Sequence, residues 1–96
     1  MHAVIRTYSG HGSKELFDLL EQRKSDVEKI IRSVKGFVNY SLVRTGDGGF
    51  SVSVYQDKAG ADESNQKAKE WVGQNAAKSG VGAPKVSEGA VILQLK

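Results

Sequence analysis

The chain has 96 residues, a net charge of +3, one proline, eleven glycines and no cysteine. The length suits one small domain covering residues 1–96, and the missing cysteine excludes disulfides, thiolate metal sites and a cysteine nucleophile. No run approaches the ~18 apolar residues of a membrane span, and the opening Met1 to Arg6 lacks the apolar stretch of a signal peptide, so a cytoplasmic protein is expected.

His2 to Tyr8 is a short apolar-rich run closed by Ser9-Gly10-His11-Gly12, and it reads as a first strand. Ala3 and Ile5 are expected to lie under helices, leaving Arg6 and Tyr8 on the opposite, semi-polar face. Ser13 then suits the N-cap of a long helix, with Glu15 in the first turn where the helix dipole favours an anion. Leu16, Phe17, Leu19, Leu20, Val27, Ile30, Ile31 and Val34 form one apolar stripe, interrupted around Arg23-Lys24-Ser25. Gly36 is placed as the left-handed residue that ends this helix, with Phe37 folding back onto Ile31.

Residues Gly36 to Gln56 carry the signature of a β-hairpin, two runs of aromatic and β-branched residues around Thr45-Gly46-Asp47-Gly48-Gly49. Pairing the runs symmetrically about Asp47 sets Val38, Tyr40 and Leu42 across from Gln56, Val54 and Val52 on an apolar face. Asn39, Ser41 and Val43 then face Tyr55, Ser53 and Ser51 on a semi-polar one, and a one-residue slip would mix the two sets. After the loop Asp57-Lys58-Ala59-Gly60, a second helix is predicted from near Asp62, with small inward residues, Trp71 as its single large anchor, and Gly80 at its end. Val81 to Gly89 reads as a connection, and Ala90 to Leu95 as the final strand.

The order strand, helix, strand, strand, helix, strand predicts an α+β, ferredoxin-like βαββαβ fold: an antiparallel four-stranded sheet with two helices on one face. Both helices would cover the apolar side of the hairpin and leave the other side of the sheet open. A second copy of the chain is the simplest cover for that side, so a homodimer through the open sheet face is expected.

At these residues the chain resembles the antibiotic-biosynthesis-monooxygenase-like group of the dimeric α+β barrel superfamily. The similarity rests on Lys14-Glu15-Leu16-Phe17, on Gly36-Phe37-Val38-Asn39-Tyr40, and on Asp57 to Ser64 leading to Trp71. It implies two sheets facing each other in a barrel, with a small organic molecule bound between them. Some members oxidise aromatic polyketides without metal or flavin, and others degrade haem with an Asn on the first strand and a Trp and a His on the second helix. Here only Trp71 matches the haem-degrading set, so no cofactor is carried over.

The side chains bearing chemistry on the expected open face are Arg6, Tyr8, Asn39, Ser41, Ser53 and Tyr55, with Trp71 as a further ligand contact. Arg6 would meet an anion or enolate, and the tyrosines and Asn39 would orient oxygen functions. The same residue types also suit a dimer interface that binds nothing. Arg6, Tyr55 and His11 are the candidates for a catalytic role, although a loop histidine between glycines is more often simply exposed. Two isolated histidines make no metal site. Lys35 to Tyr40 resembles half of an RNA-recognition signature, but it follows the first helix, not the second, and the diffuse charge speaks against nucleic acid. Two readings stay open: a cofactor-independent monooxygenase acting on an aromatic or carbonyl compound, and a non-catalytic dimeric stress or ligand-sequestering module, with RNA binding a minor third.

Overall fold

The computed structural model describes residues 1–95. Strand β1 (His2–Ser9) leads into helices α1 (Ser13–Gln22) and α2 (Lys24–Arg32); strands β2 (Phe37–Thr45) and β3 (Gly48–Tyr55) form a hairpin; helix α3 (Lys58–Asn75) and a short 3-10 turn (Ala77–Ser79) lead to strand β4 (Lys85–Ala90). The four strands make one antiparallel sheet in the order β2-β3-β1-β4, with the helices packed against it. This is the ferredoxin-like arrangement the element order predicts, and the departures from expectation lie in register and in element boundaries.

The hairpin turn contains only two residues, Gly46 and Asp47, with Thr45 paired to Gly48. A two-residue loop has its centre between residues, whereas symmetry about Asp47 puts it on one. The observed pairs are therefore Leu42 with Ser51 and Tyr40 with Ser53, and an irregularity between Phe37 and Asn39 brings Phe37 opposite Tyr55. Tyr40 and Leu42 still face the helices, but β3 is turned over: Ser51, Ser53 and Tyr55 lie beneath the helices, and Phe50 and Val52 face the other way. Strand β1 is reversed as well. Val4, Arg6 and Tyr8 are its buried positions, while Ile5 is 41% exposed on the open side. Val4 and Tyr8 bring more surface to the helices than Ala3 and Ile5 would, and Arg6, between them in the alternation, has to follow.

The long helix predicted from Ser13 is two helices. Arg23 leaves helical geometry at φ −113° and ψ 30°, where the apolar stripe breaks off, and its guanidinium stands over the Trp71 ring at 5.9 Å. Ser13 is already helical; Gly12, at φ 81°, precedes it, and the buried Ser13 hydroxyl has no partner and caps nothing. Gly36 has the expected positive φ (86°), but α2 ends several residues earlier, and Phe37 packs edge-on to Tyr55 at 6.0 Å instead of folding onto Ile31. Helix α3 starts before Asp62 because Asp57 caps it, its side chain accepting from the Gly60 N–H at 3.0 Å.

The last strand is also displaced. Strand β4 runs antiparallel to β1 and reaches its end with Ala90 opposite His2. Beyond that point β1 has nothing left to pair with except the Met1 carbonyl, which accepts from the Val91 N–H at 3.0 Å. The apolar residues 91–95 therefore continue past the sheet, with Ile92 98% exposed.

Apolar burial falls into two clusters on the helix side of the sheet. Tyr8, Leu16, Phe17, Leu20, Trp71 and Ala76 form one, and Val4, Val34, Tyr55 and Ala61 the other. Arg6 comes between Val4 and Tyr8 on the same face of β1, so a polar gap separates the two clusters. The first cluster is anchored by close approach at Gly49, where a side-chain methyl would run into the Phe17 ring and the Val43 carbonyl. Gly49→Ala is expected to lower stability by about 2–3 kcal/mol, whereas Gly46→Ala, whose methyl would meet open space, should stay within about 0.5 kcal/mol; urea unfolding of the two variants beside the parent chain measures both.

Candidate functional site

The polar gap opens into a narrow fissure of about 60 Å³ between the helices and the sheet. Its sheet side carries Arg6, Tyr8, Tyr40, Leu42, Ser51 and Ser53; its helix side is mostly apolar, with Phe17, Leu20, Ile30 and Trp71 among the lining. The space exists because β3, one of the two inner strands, presents two serines to the helices where valines would fill it. Tyr8 is held edge-on to Phe17, with ring centroids 6.3 Å apart.

Arg6 is the unusual member. It is only 7% exposed, and its guanidinium donates to the Tyr8 hydroxyl at 2.7 Å and to the Asn65 carbonyl and side-chain oxygens, both at 3.3 Å. All these acceptors are neutral. Among the described residues no carboxylate lies within ion-pair distance of Arg6, although eight other such contacts exist. A buried cation with only neutral partners is costly and creates a strongly positive point inside the fissure.

Burial raises the Tyr40 hydroxyl above its ordinary pKa, against the opposing pull of the Ser51 hydroxyl and the Arg6 charge. Burial likewise raises Tyr55, opposed by Ser64, and the Tyr55 hydroxyl donates to the Ile31 carbonyl at 3.3 Å. Tyr40 therefore stays a neutral phenol at physiological pH, able to donate a hydrogen bond and unsuited to act as a base.

Two surface openings adjoin the fissure. A cleft of about 480 Å³ under α2 shares Phe17, Val27, Ile31, Tyr40 and Leu42 with it. A groove of about 560 Å³ between α3 and β4 shares Arg6, Tyr8 and Val72.

Of the residues singled out from sequence, Arg6, Tyr8, Ser53 and Trp71 line one space, which lies within a single chain on the helix side and not between two sheets. Tyr55 is buried beneath the helices but belongs to the neighbouring apolar cluster. Asn39 and Ser41 are exposed on the opposite face of the sheet, away from this space. His11 is exposed in the loop before α1, its ring beside Gly80. Sequence reasoning missed Tyr40, Ser51 and Ser64 as lining residues. The two-residue Gly46-Asp47 turn was the signal that would have placed Ser51 correctly.

No protein-family model matches the chain, and no curated protein matches it. Solved structures do. SnoaB, a cofactor-independent oxygenase from Streptomyces nogalater, superposes with a TM-score of 0.67 at 14% identity, over 98% of this chain and 95% of that one. MhuD, a heme-degrader from Mycobacterium tuberculosis with two hemes bound in its active site, gives 0.67 at 19% identity over the whole of both chains. A dimeric ferredoxin-like protein from an uncultured marine organism gives 0.64 at 14% identity, over 99% and 95%. The class is thus the ferredoxin-like α+β fold. At these identities the likeness establishes the fold.

The two displaced tyrosine pKa values carry a consequence for stability. In the unfolded chain tyrosines ionise near pH 10.0, the ordinary value from which Tyr40 and Tyr55 are raised. The folded form therefore holds its protons longer, and stability falls as pH rises above about 10. Tyr40→Phe is expected to flatten that decline, measured as urea-unfolding free energy across the alkaline range.

Proposed function

We propose that the protein is a homodimer that binds a small molecule beside Arg6, and that the ligand carries an ionised or enolised oxygen on an aromatic or carbonyl framework. One observation carries the reading: Arg6 is buried, faces the fissure and has no counter-ion among the described residues. An anionic oxygen supplies the missing charge, and Tyr8 and the protonated Tyr40 add hydrogen bonds beside it. The apolar helix side accommodates the rest of the ligand once the fissure widens.

Cofactor-independent oxygenation is the reaction class that suits such a site. A substrate CH₂ group loses a proton and becomes an enolate held by Arg6; the enolate passes an electron to dioxygen, and the two radicals join as a peroxide. The peroxide regains the proton and loses water to leave a carbonyl, so that CH₂ and O₂ become C=O and H₂O. Among the described residues no histidine or carboxylate lines the fissure, so the substrate must be acidic in itself, as anthrones and β-diketones are. The same lack of a base favours a second reading, a module that sequesters such molecules without transforming them. The haem of MhuD does not fit: the fissure holds about 60 Å³ and its lining offers iron no histidine.

The dimer reading rests on the open side of the sheet, where Ile5 and Val43 are 41% and 38% exposed and share their face with Phe50 and Val52. The chain is expected to sediment as a dimer at micromolar concentration, and Ile5→Glu as a monomer; a parent chain that sediments as a monomer defeats this part.

Hydroxynaphthoate and an anthrone test the site, read through fluorescence of Trp71, the single tryptophan. The double change Arg6→Met with Tyr8→Phe removes the charge together with its hydrogen-bonding hydroxyl. It is expected to weaken binding at least about tenfold, or 1.4 kcal/mol, while unfolding at the same or a higher temperature than the parent. Unchanged affinity, or a fall of many degrees in Tm, makes Arg6 a structural residue. Oxygen uptake with the anthrone separates the oxygenase from the sequestering module.

A further inference from the structure

We infer that the groove between α3 and β4 is the compartment that admits the ligand, and that it selects an organic acid whose carboxylate lies between Arg6 and Lys69. The inference deepens the small-molecule reading and rests on it. Two openings reach the fissure, and they differ in what they meet. The cleft under α2 is lined by Arg32 and Arg44, but these guanidiniums are already engaged, Arg32 with Glu28 at 2.8 Å and Arg44 with Asp18 at 2.8 Å. That cleft does not touch Arg6.

The groove does. Arg6 and Tyr8 form its inner wall, Asn65, Gln66 and Lys69 line it from α3, and Val81 to Pro84 form its lip. Its 560 Å³ falls within the roughly 300–1,000 Å³ of sites that hold drug-sized ligands, whereas the fissure behind it has room only for a substituent. The charges facing the groove are uneven. The one carboxylate among the described residues of its lining, Asp62, is paired with Lys58 at 3.0 Å. Lys69 has no ion-pair partner among the described residues, and Arg6 has none either. A carboxylate at the inner end thus meets two cations and the amide donor of Asn65, with no unpaired carboxylate among the described residues of the lining. An aromatic hydroxy acid fits this order of groups: the carboxylate in the groove, the hydroxyl or enolate oxygen on Arg6 and Tyr8, and the ring edge directed past Val72 into the fissure.

The test uses hydroxynaphthoate and naphthol, the same ring with and without the carboxylate, again through Trp71 fluorescence. Hydroxynaphthoate is expected to bind the parent chain more tightly than naphthol does. Lys69→Gln should weaken hydroxynaphthoate about fivefold and leave naphthol unchanged. Ala83→Trp, at the lip, should weaken both, while Arg32→Gln and Lys24→Trp, at residues that line the α2 cleft and not the fissure, should weaken neither. If the Arg6→Met, Tyr8→Phe chain loses hydroxynaphthoate but Lys69→Gln and Ala83→Trp bind it normally, the groove inference falls and the Arg6 site stands. If the α2-cleft variants are the ones that lose affinity, the ligand enters from the other side, and the inference again falls. If the parent chain binds neither compound, both readings fall together.

Discussion

The small side chains of the inner strand β3 are the constraint on which the rest of this structure depends. Strand β3 presents Gly49, Ser51 and Ser53 towards the helices, and all three are too short to fill the layer beneath α1 and α3. Gly49 lets Phe17 lie against the backbone, which draws α1 onto the sheet at one end. The serines leave space at the middle, and Arg6, Tyr8 and Tyr40 extend into it from the strands on either side. Valines at the serine positions would join the two apolar clusters into one continuous core.

The architecture was legible in the sequence because it depends on element order and on helix periodicity, both of which survive small errors of placement. The stripe from Leu16 to Ile31, the small residues of α3 and the glycines of the hairpin were enough to specify a sheet covered on one side by helices. The site was less legible, because side-chain direction in a strand reverses with each single residue. Centring the hairpin on Asp47 instead of between Gly46 and Asp47 was enough to put Ser53 and Tyr55 on the wrong side. Arg6 misled for a different reason: a charged residue in an alternating strand reads as outward-facing, and only the gain from burying Val4 and Tyr8 beside it reverses that reading. The final strand was mistaken because pairing, not hydrophobicity, decides where an edge strand lies. The polar stretch Lys85–Ala90 has β1 to pair with, and the apolar residues after it do not.

Arg6 shows how such a small fold can keep a polar interior. The guanidinium is held by a phenol and an amide, groups that orient it without neutralising it. A carboxylate in their place would make a more comfortable ligand-free protein and cancel the positive potential in the fissure. The tyrosines are arranged in the same sense, since the burial that keeps Tyr40 protonated leaves it a donor towards whatever occupies the site. Stability of the empty chain and affinity for an anion are thus set against each other at one residue.

The break at Arg23 has a bearing on how wide the fissure is in practice. Helix α2 has nine residues, below the length at which a helix supports itself in water, and Ile31 is its only buried residue. It forms one wall of the cleft, and its neighbour α1 is bound to the sheet far more firmly through Leu16, Phe17 and Leu20. The least costly way to enlarge the interior is therefore to loosen one short helix at its Arg23 joint, leaving the sheet and α3 in place. The width of the fissure, about 60 Å³, thus depends on a wall of nine residues with a single buried anchor, Ile31.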